Sequence, residues 1–308
     1  MAYNNPKISV VLTSFNGMQF IEEQLNSIIA QSIKPNEIIV CDDGSTDGTI
    51  QLLKKFEANN QIKLILNNTN LGILANFKLG ASLANSNNYI AFSDQDDIWL
   101  PNKLAANLEA ILQLETKPSN SATPCLVYSD LTFINEKGAT LNNSFYNQMG
   151  LDKFEHCFDT ALFGSLLLGC SIFINAPMRT EFLSTPDSTF FYHDAWLSLL
   201  GFSIGKIYFI NTPLVKYRLH NNNASLQKFT KRNRFLNAFN HIKKTLLNSS
   251  YLQNELALAK EFKHKYQAQL NLDDQLILDA FLSLDHKLYF QKKWAFEKAF
   301  KNKWIKRF

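Results

Sequence analysis

Three carboxylates occupy four consecutive positions in the segment AFSDQDDIWLP, residues 91–101. Asp94 and Asp96 are separated by one residue, so an extended backbone places both on the same side. One or two carboxylates that hold a hard divalent cation, completed by phosphate oxygens and water, form the usual magnesium arrangement. Such an ion can offset the charge that develops on a leaving diphosphate. The alternative is a solvated acidic turn that caps a helix starting near Pro101.

A second acidic segment, DDGSTDGT, begins at residue 42. Gly44 and Gly48 permit tight turns, and Ser45 and Thr46 can cap a helix that starts near Thr49. A capping turn alone does not explain two adjacent carboxylates at a strand end. A carboxylate there can accept a hydrogen bond from the N3–H of a uracil or thymine ring.

Candidate acid–base and ligand groups follow between residues 190 and 225. In FFYHDAW, Asp194 has aromatic neighbours, and desolvation there would raise its pKa and suit it to proton abstraction. The alternative is an Asp that caps the following helix. In YRLHNNNAS, Arg218 and His220 alternate and therefore share one face of a strand. The Arg could hold phosphate and the His could complete a metal site, although a lone His is equally well explained as structural.

The first 100 residues alternate between strand and helix patterns. KISVVLTSF, EIIVCDD, IKLILN and YIAFSD read as strands, with helical spacing of apolar residues between them. This alternation predicts an α/β fold, a Rossmann-like, mostly parallel sheet with helices on both faces. TSFN, DDGS and SDQDD follow the first, second and fourth strands. Ligands bind beyond the carboxyl ends of such strands, so we expect these groups at one edge.

The later sequence divides into two parts. Residues 100–225 are less regular, with a helix in LPNKLAANLEAILQLE, a strand in CLVYSDLTFIN and an apolar run over residues 161–176. After residue 227 three segments have helical periodicity: KRNRFLNAFNHIKKTLL, LQNELALAKEFKHKYQAQL and DDQLILDAFLSL. We therefore predict a domain over residues 1–227, with halves of about 1–100 and 101–227, and an α-helical C-terminal region over 228–308.

The composition describes a folded protein, with 46% hydrophobic and 19% charged residues. The four cysteines show no close pairing or metal-ligand spacing, which favours reduced thiols in a cytosolic protein. The N-terminus does not have the pattern of a secretory signal. The run at 161–176 contains Gly, Ser and Asn and is shorter than the ~20 residues of a spanning helix, so we expect it to be buried in protein.

Positive charge is concentrated at the C-terminus. Residues 287–308 contain eight Lys or Arg and one Glu, which leaves the rest of the chain mildly acidic although the net charge is +4. This distribution argues against a nucleic-acid-binding protein, whose main fold would carry the basic surface. It predicts a tail that touches something anionic.

The order of the motifs resembles glycosyltransferase family 2, whose members have the GT-A fold. SVVLTSFNG, EQLNSIIAQS, EIIVCDDGSTDGT, NLGILANF and YIAFSDQDDIWLPNKL carry the resemblance in the first half. LLLGCSIFIN, YHDAW and YRLHNNNAS resemble the acceptor loop, base segment and closing segment of its bacterial rhamnosyltransferase-like branch. The resemblance covers about residues 7–225. The C-terminal helices add nothing to it.

The resemblance implies a donor site for a nucleoside diphosphate sugar. Asp43 would read the N3–H of the base, and Phe15 replaces a more usual Tyr beside it. The UDP-sugars and dTDP-rhamnose both fit such a contact. The full set of nucleotide-sugar-binding residues that the resemblance implies is Thr13, Phe15, Asn16, Asp43, Lys78, Asp94, Gln95 and Arg218.

The family also implies Mn²⁺ or Mg²⁺ held by Asp94, Asp96 and His220, with Asp94 and Asp96 as its DxD element. Asp194 matches the general base of an inverting single displacement. The implied acceptor-binding residues are Trp99, Gly169, Cys170, His193 and Trp196, where His193 replaces the Glu of many relatives. For Trp99 and Trp196, packing in the core is the alternative to stacking on sugar rings. The implied acceptor is a glycan or polyprenyl-linked sugar in bacterial surface polysaccharide synthesis.

Two other functions are alternatives to glycosyl transfer. A sugar-1-phosphate nucleotidyltransferase would need a Gly-rich phosphate loop with a basic residue after the first strand, and TSFNGMQF lacks one. A non-catalytic nucleotide-sugar-binding module would keep DDGS but need not keep Asp194. The combination of Asp194 with both carboxylates of the DxD element therefore favours an enzyme.

The tail LYFQKKWAFEKAFKNKWIKRF combines aromatic and basic residues. Phe290, Trp294, Phe300, Trp304 and Phe308 share one broad face of a helical wheel, and lysines flank them. Such a face suits the boundary of an anionic membrane, where each basic group adds ~1 kcal/mol. We therefore expect a cytoplasmic protein with peripheral contact to the inner face of the membrane. The alternative is a helix that packs on the catalytic domain or on a partner subunit.

Overall fold

The computed structural model describes residues 6–116, 123–187, 191–220 and 251–302. Its first part alternates strand and helix as the sequence predicts. The elements are β1 (Ile8–Ser14), α1 (Ile21–Ile29), β2 (Glu37–Asp42), α2 (Thr49–Ala58), β3 (Lys63–Leu66), α3 (Ile73–Leu83) and β4 (Tyr89–Ser93). Strands β1, β2 and β4 are almost wholly buried, which explains their continuous apolar runs.

Strand β1 pairs in parallel with β2 on one side and with β4 on the other, and β3 extends the sheet beyond β2. Ser14 pairs with Asp42, and Leu12 pairs with Ser93, so the three strands end nearly level. The chain leaves β1 towards β2 and later returns to β4 on the opposite side. A crevice therefore opens beyond the carboxyl ends of β1, β2 and β4.

The second half adds shorter and mixed elements to the same sheet. They are β5 (Ile98–Trp99), α4 (Lys103–Thr116), β6 (Cys125–Asn135), β7 (Thr140–Asn142), α5 (Phe145–Met149), α6 (Phe158–Ala161), β8 (Phe173–Ile174), α7 (Ala176–Leu183), α8 (His193–Ser203) and β9 (Lys206–Leu219). The strand order is β3-β2-β1-β4-β8-β6-β9-β5, and β7 pairs with β6.

One sheet therefore joins the two halves of the chain. The short β8 runs antiparallel to both β4 and β6, whereas β6 and β9 are parallel over most of their length. The predicted α/β class with a mostly parallel sheet is confirmed. Antiparallel pairs occur in the second half, where the pattern is less regular.

The apolar run at 161–176 is folded within the protein. The run begins at the last residue of α6, passes through a 3₁₀ turn at Gly169–Ser171 and continues into β8. Leu167, Cys170 and Phe173 are fully buried there. None of the helices in the described ranges is long and apolar enough to cross a membrane.

Three further helices follow in the C-terminal part: α9 (Gln253–Tyr266), α10 (Leu272–Leu282) and α11 (Tyr289–Asn302). Phe262 of α9 lies 5.9 Å from Phe158, and Phe281 of α10 lies 4.9 Å from Phe163, between ring centroids. These helices therefore share a hydrophobic core with the first domain. The helix predicted in KRNRFLNAFNHIKKTLL and the domain boundary predicted at 227/228 lie outside the described residues.

Candidate functional site

A cavity of about 260 Å³ opens at the carboxyl edge of β1, β2 and β4. It brings together ten of the residues singled out in the sequence. These are Thr13, Phe15, Asp43, Asp94, Gln95, Asp96, Gly169, Cys170, His193 and Asp194. The first six come from the parallel half of the sheet, and the other four come from the 3₁₀ turn and from the start of α8. The cavity therefore lies between the two halves of the domain over residues 1–227.

Asp43 forms one wall of the cavity and is held by neighbouring N–H groups. Its Oδ1 accepts hydrogen bonds from the backbone N of Leu71 at 2.8 Å and from Asn67 Nδ2 at 2.9 Å. Its Oδ2 accepts one from the backbone N of Gly72 at 2.9 Å. These donors fix the carboxylate and leave Oδ2 with acceptor capacity.

The preceding residue, Asp42, has a structural role. It is fully buried and accepts hydrogen bonds from the hydroxyls of Ser14, at 2.7 Å, and Ser45, at 2.6 Å. Asn16 strengthens the same junction, because its backbone N donates to Ser45 Oγ and its Oδ1 accepts from the backbone N of Thr46. The adjacent carboxylates of DDGS thus divide their tasks, one tying loops together and one facing the cavity. Asn16 itself is outside the cavity lining.

Gln95, the middle residue of DQD, fastens the loop after β1 to the acidic turn. Its Oε1 accepts a hydrogen bond from the backbone N of Phe15 at 2.9 Å, and its Nε2 donates to the carbonyl of Phe15 at 3.0 Å. The ring of Phe15 is 48% exposed at the cavity. A half-exposed aromatic ring held by its backbone can stack on a flat ligand.

Negative charge accumulates where the acidic turn meets α8. Burial, together with the nearby carboxylates of Asp96 and Asp194, raises the pKa of Asp94 to about 7. Three carboxylates from two separate segments therefore interact at one point. Such clustering is costly unless a proton or a cation compensates it.

His220, just beyond β9, reaches the same turn. Its Nε2 lies 2.7 Å from Oδ2 of Asp96, and its ring is 4.9 Å from that of Phe20. The sequence expectation that Arg218 and His220 approach from one face agrees with this placement. Their contacts differ, because His220 contacts the carboxylate of Asp96 and the guanidinium of Arg218 donates to its carbonyl.

Arg218 does not line the cavity, contrary to the expectation of a nucleotide-sugar contact. It is 1% exposed, and its guanidinium donates to the carbonyls of Asp96 and Glu136 and to a carboxylate oxygen of Glu23. Its backbone N donates to Oδ1 of Asp97 at 3.1 Å. Arg218 therefore ties the acidic turn to β9, to α1 and to the turn after β6.

A second group of possible metal ligands lies deeper. Asp94, Asp97 and Cys170 each place one ligand atom within 4.8 Å of the others. In the described part of the chain, no other group of three such residues is this close. Asp97 is fully buried, and its Oδ2 has no hydrogen-bond partner among the described residues. Burial, with the charges of Asp97 and Asp94, raises the pKa of the Cys170 thiol well above its usual range. A thiol kept protonated is a poor ligand for a hard cation.

The residues present fit a divalent cation at the acidic turn. The carboxylates of Asp94, Asp96 and Asp194 interact there, and carboxylate oxygens with an imidazole nitrogen suit Mn²⁺ or Mg²⁺. The predicted set of Asp94, Asp96 and His220 does not converge as tightly as the deeper group. His220 has a direct contact with Asp96, through which it would also orient that carboxylate.

On the opposite side, His193 is packed against Gly169. The imidazole is 4% exposed, and its centroid lies 4.1 Å from that of Phe77 and 5.4 Å from that of Phe92. Neither ring nitrogen has a hydrogen-bond partner among the described residues, and burial lowers its pKa to about 3. A Cβ on residue 169 would overlap the imidazole, so this approach requires Gly. His193 is therefore a neutral ring at the cavity edge.

Asp194 occupies the first turn of α8 and lines the cavity. Its Oδ1 accepts a hydrogen bond from the backbone N of Ala195 at 2.7 Å. The positive end of the helix dipole stabilises a carboxylate at this position. Asp194 is thus placed at the boundary between the acidic turn and the turn at Gly169.

Three further predicted residues are not at the cavity. Lys78 donates to the carbonyl of Thr185 and pairs with Asp187 at 2.7 Å. Trp99 is 2% exposed, with Lys103 Nζ 4.0 Å from its ring centroid, and Trp196 is fully buried. Packing in the core, the alternative considered for the two indoles, is what the structure shows.

The cavity also contains residues that sequence reasoning missed. They are Ser14, Ile73, Asn76, Leu168, Tyr192 and Tyr217. Asn76 lies within NLGILANF, and its Nδ2 donates to the carbonyl of Cys41, so the motif gave a usable signal. Tyr192 precedes the histidine of YHDAW and is 40% exposed. Tyr217 and Leu168 lie in the quoted motifs YRLHNNNAS and LLLGCSIFIN, but apolar and aromatic residues in strands and loops are usually packing residues, so neither was singled out.

The fold has counterparts among solved structures. Staphylococcus aureus TarS 1–349 in complex with UDP-GlcNAc superposes with a TM-score of 0.56 at 15% identity, covering 95% of this chain and 91% of that one. At such identity the likeness concerns the fold alone, which is of the GT-A type.

Residues 9–148 match the model of glycosyl transferase family 2. Over 228 residues the chain is 28% identical to the Escherichia coli UDP-Glc:alpha-D-GlcNAc-diphosphoundecaprenol beta-1,3-glucosyltransferase WfgD, covering 72% of this chain and 81% of that protein. Over 103 residues it is 40% identical to EpsE of Bacillus subtilis (strain 168), covering 33% of this chain. That alignment spans 37% of the length of EpsE.

Proposed function

We propose that this protein transfers a sugar from a nucleoside diphosphate sugar to a hydroxyl group of an acceptor, with inversion at the anomeric carbon. The observation that carries the proposal is the meeting of Asp43, the acidic turn and Asp194 around one cavity. A base-reading carboxylate, a diphosphate site and a proton acceptor are the three groups that such a transfer needs.

Each group has a distinct role in this reaction. Asp43 accepts a hydrogen bond from the N3–H of uracil or thymine, beside the ring of Phe15. Asp194 takes the proton of the acceptor hydroxyl, whose oxygen forms a bond to C1 as the bond from C1 to the diphosphate oxygen breaks. The attack comes from the face opposite the nucleotide, which inverts C1. Holding both sugars in line supplies much of the rate.

We propose Asp94, Asp96 and His220 as the residues that would hold Mn²⁺ or Mg²⁺. Such an ion stabilises the negative charge of a departing diphosphate. The support is the direct contact between His220 and Asp96 and the charge that Asp96 and Asp194 impose on Asp94. Gly169, Cys170 and His193 are proposed on the acceptor side, because they line the cavity opposite the loops after β1 and β2.

The proposed substrates are a UDP-sugar or dTDP-rhamnose as donor and a glycan or polyprenyl-linked sugar as acceptor. The printed name of WfgD specifies UDP-Glc and a diphosphoundecaprenol-linked acceptor. The solved structure of TarS holds UDP-GlcNAc. The name of WfgD supports a polyprenyl-linked acceptor, and the sequence resemblance to the rhamnosyltransferase-like branch keeps dTDP-rhamnose among the donors.

Helix α11 supports peripheral contact with the cytoplasmic leaflet of a membrane. Phe290 is 57% exposed and Trp294 is 61% exposed, whereas Ala295 and Ala299 on the other face of the helix are buried. Lys298 lies 4.9 Å from the centroid of the Trp294 ring. The buried face packs on protein, as one sequence alternative predicted, and the exposed face is the one we propose for membrane contact. The other three residues of the predicted aromatic face lie outside the described side chains: Phe300, Trp304 and Phe308.

The decisive experiment combines nucleotide binding with product analysis. Calorimetric titration of UDP and dTDP, with Mn²⁺ and with EDTA, tests the donor site in the wild type and in Asp96→Ala. The anomeric configuration of the product, read by NMR, tests inversion. Asp194→Asn should bind nucleotide as the wild type does but lose transfer by roughly 10²- to 10⁴-fold. Transfer-competent Asp194→Asn, or no binding of either nucleotide with metal present, would contradict the proposal.

A further inference from the structure

Three neighbouring side chains in the first turn of α8 point in three different directions. Asp194 lines the cavity, His193 enters the slot beside Phe77, and Trp196 packs against α9. The carboxylate is therefore placed by contacts on two other sides of its own turn. One of those sides belongs to the C-terminal helical region.

Trp196 is enclosed by aromatic rings from two parts of the chain. It is fully buried and stacks on Phe191 with centroids 5.6 Å apart. From α9, Phe262 meets it edge-on at 5.5 Å and Tyr266 lies at 6.0 Å. A close-packed aromatic group of this kind resists displacement, because moving one ring opens a void beside the others.

Helix α9 also ties down the end of α7. The hydroxyl of Tyr266 donates to Oε2 of Glu181 at 2.7 Å and lies 3.4 Å from the hydroxyl of Ser184. Lys265 Nζ donates to the carbonyl of Ser184. Burial raises the pKa of Tyr266, so its hydroxyl remains a donor at physiological pH. The C-terminal end of α9 thus holds both flanks of the segment that leads into α8.

We infer that Tyr266 and α9 position the general base. The inference rests on the proposed role of Asp194 and adds a positioning residue, Tyr266, that touches neither substrate nor Asp194. Trp196 transmits the contact, because it lies two residues after Asp194 in the same turn. Misplacement of a reacting group by about 1 Å can cost about 100-fold in rate, so a small shift of this turn is sufficient to slow transfer.

The test uses the full-length protein and a matched pair of Tyr→Phe variants. Tyr266→Phe keeps the ring and removes the bonds to Glu181 and Ser184. The control is Tyr289→Phe on α11, which also removes one hydroxyl and keeps the ring. That ring lies 5.0 Å from the ring of Tyr251, between centroids. For Tyr266→Phe we expect kcat to fall roughly 10-fold, with the Kd of UDP unchanged, since the donor loops are untouched. Trp196→Leu should lower kcat further, and Tyr289→Phe should match the wild type.

A split between kcat and nucleotide affinity distinguishes positioning from general damage. If Tyr266→Phe and Trp196→Leu keep the kcat of the control while Asp194→Asn is inactive, the positioning inference is wrong and the base assignment stands. Parallel losses of kcat, UDP affinity and Tm would also overturn it. Wild-type kcat in Asp194→Asn would instead overturn the proposed function, and the positioning inference with it.

Discussion

The imidazole Nε2 of His220 lies 2.7 Å from Oδ2 of Asp96, although 124 residues separate them in the sequence. Strand β9 makes the contact possible, because it ends beside the acidic turn and Arg218 fastens the two together. The carboxylate of Asp96 is therefore oriented by the far end of the domain. His220 therefore fixes the orientation of this carboxylate independently of any contact with a metal ion.

The first prediction concerns this pair. Replacement of His220 by Ala should weaken metal-dependent binding of UDP by roughly 10- to 100-fold, because the carboxylate loses its orienting partner. Asp96→Ala should weaken it at least as much. Calorimetry with Mn²⁺ and with EDTA measures both effects. His264→Ala, at an exposed position of α9, is the matched control and should bind as the wild type does. Equal affinity in Mn²⁺ and in EDTA for the wild type would refute a metal-dependent donor site.

The second prediction concerns recognition of the base by Asp43. Three of its roughly four acceptor positions are filled by Asn67, Leu71 and Gly72, which leaves Oδ2 one position for an N3–H donor. We expect UDP methylated at N3 to bind at least about 10-fold more weakly than UDP, because the donor is lost and a methyl group meets the carboxylate. dTDP, whose methyl group is on C5, serves as the control nucleotide and should still bind. Comparable affinity for the two uracil nucleotides would remove Asp43 from base recognition.

The third prediction concerns the pH dependence of stability. Burial holds the pKa of His193 at about 3 in the folded state, against 6.5 for an unperturbed histidine. Between these values the unfolded chain binds the extra proton, so the free energy of unfolding falls as the pH drops below about 6.5. The slope from this residue is up to about 1.4 kcal/mol per pH unit.

The comparison with a variant isolates that slope. His193→Phe should be less sensitive to acid than the wild type in urea unfolding between about pH 7 and about pH 5. His264→Gln, the exposed control, should keep the wild-type slope. Asp94, whose pKa is raised, acts in the opposite sense, so the difference between variant and wild type is the quantity to measure. Identical slopes in all three proteins would show that the imidazole is not kept neutral.

The fourth prediction concerns membrane contact. Substituting both Phe290 and Trp294 by Ser should reduce flotation with anionic liposomes, because the exposed aromatic face of α11 is removed. Binding should also weaken with salt and be lower on neutral liposomes, as expected for lysines near anionic lipid. Tyr208→Ser removes a similarly exposed ring, 48% exposed, from the catalytic domain and is the control. If the double variant floats as well as this control, α11 does not bind the membrane.

The sequence predicted the parallel half of the sheet well. Its strands are continuous apolar runs that end in polar clusters, and the parallel register brings Ser14 and Asp42 level, so the spacing of motifs along the chain translates directly into space. What single positions cannot reveal is which of two charged neighbours is satisfied internally, as Asp42 is.

The second half was harder to predict because long-range contacts decide it. Arg218 has the chemistry of a phosphate ligand, but Glu23 and two carbonyl groups, distant in sequence, occupy its donors. Trp196 has the chemistry of a sugar platform, but α9 covers it. Strand β8 has two residues, too few to produce a periodic pattern. For Arg218 and Trp196, the partners named here lie more than 60 residues away in the sequence.

The packing of α9 on α8 limits how this protein can be recombined with its relatives. The matched family segment ends at residue 148, before α8. The acceptor-side segment that contains Trp196 is complementary in shape to Phe262 and Tyr266 of its own chain. A chimera that replaces α8 with the helix of a relative must therefore replace α9 as well, because Trp196 packs directly against it.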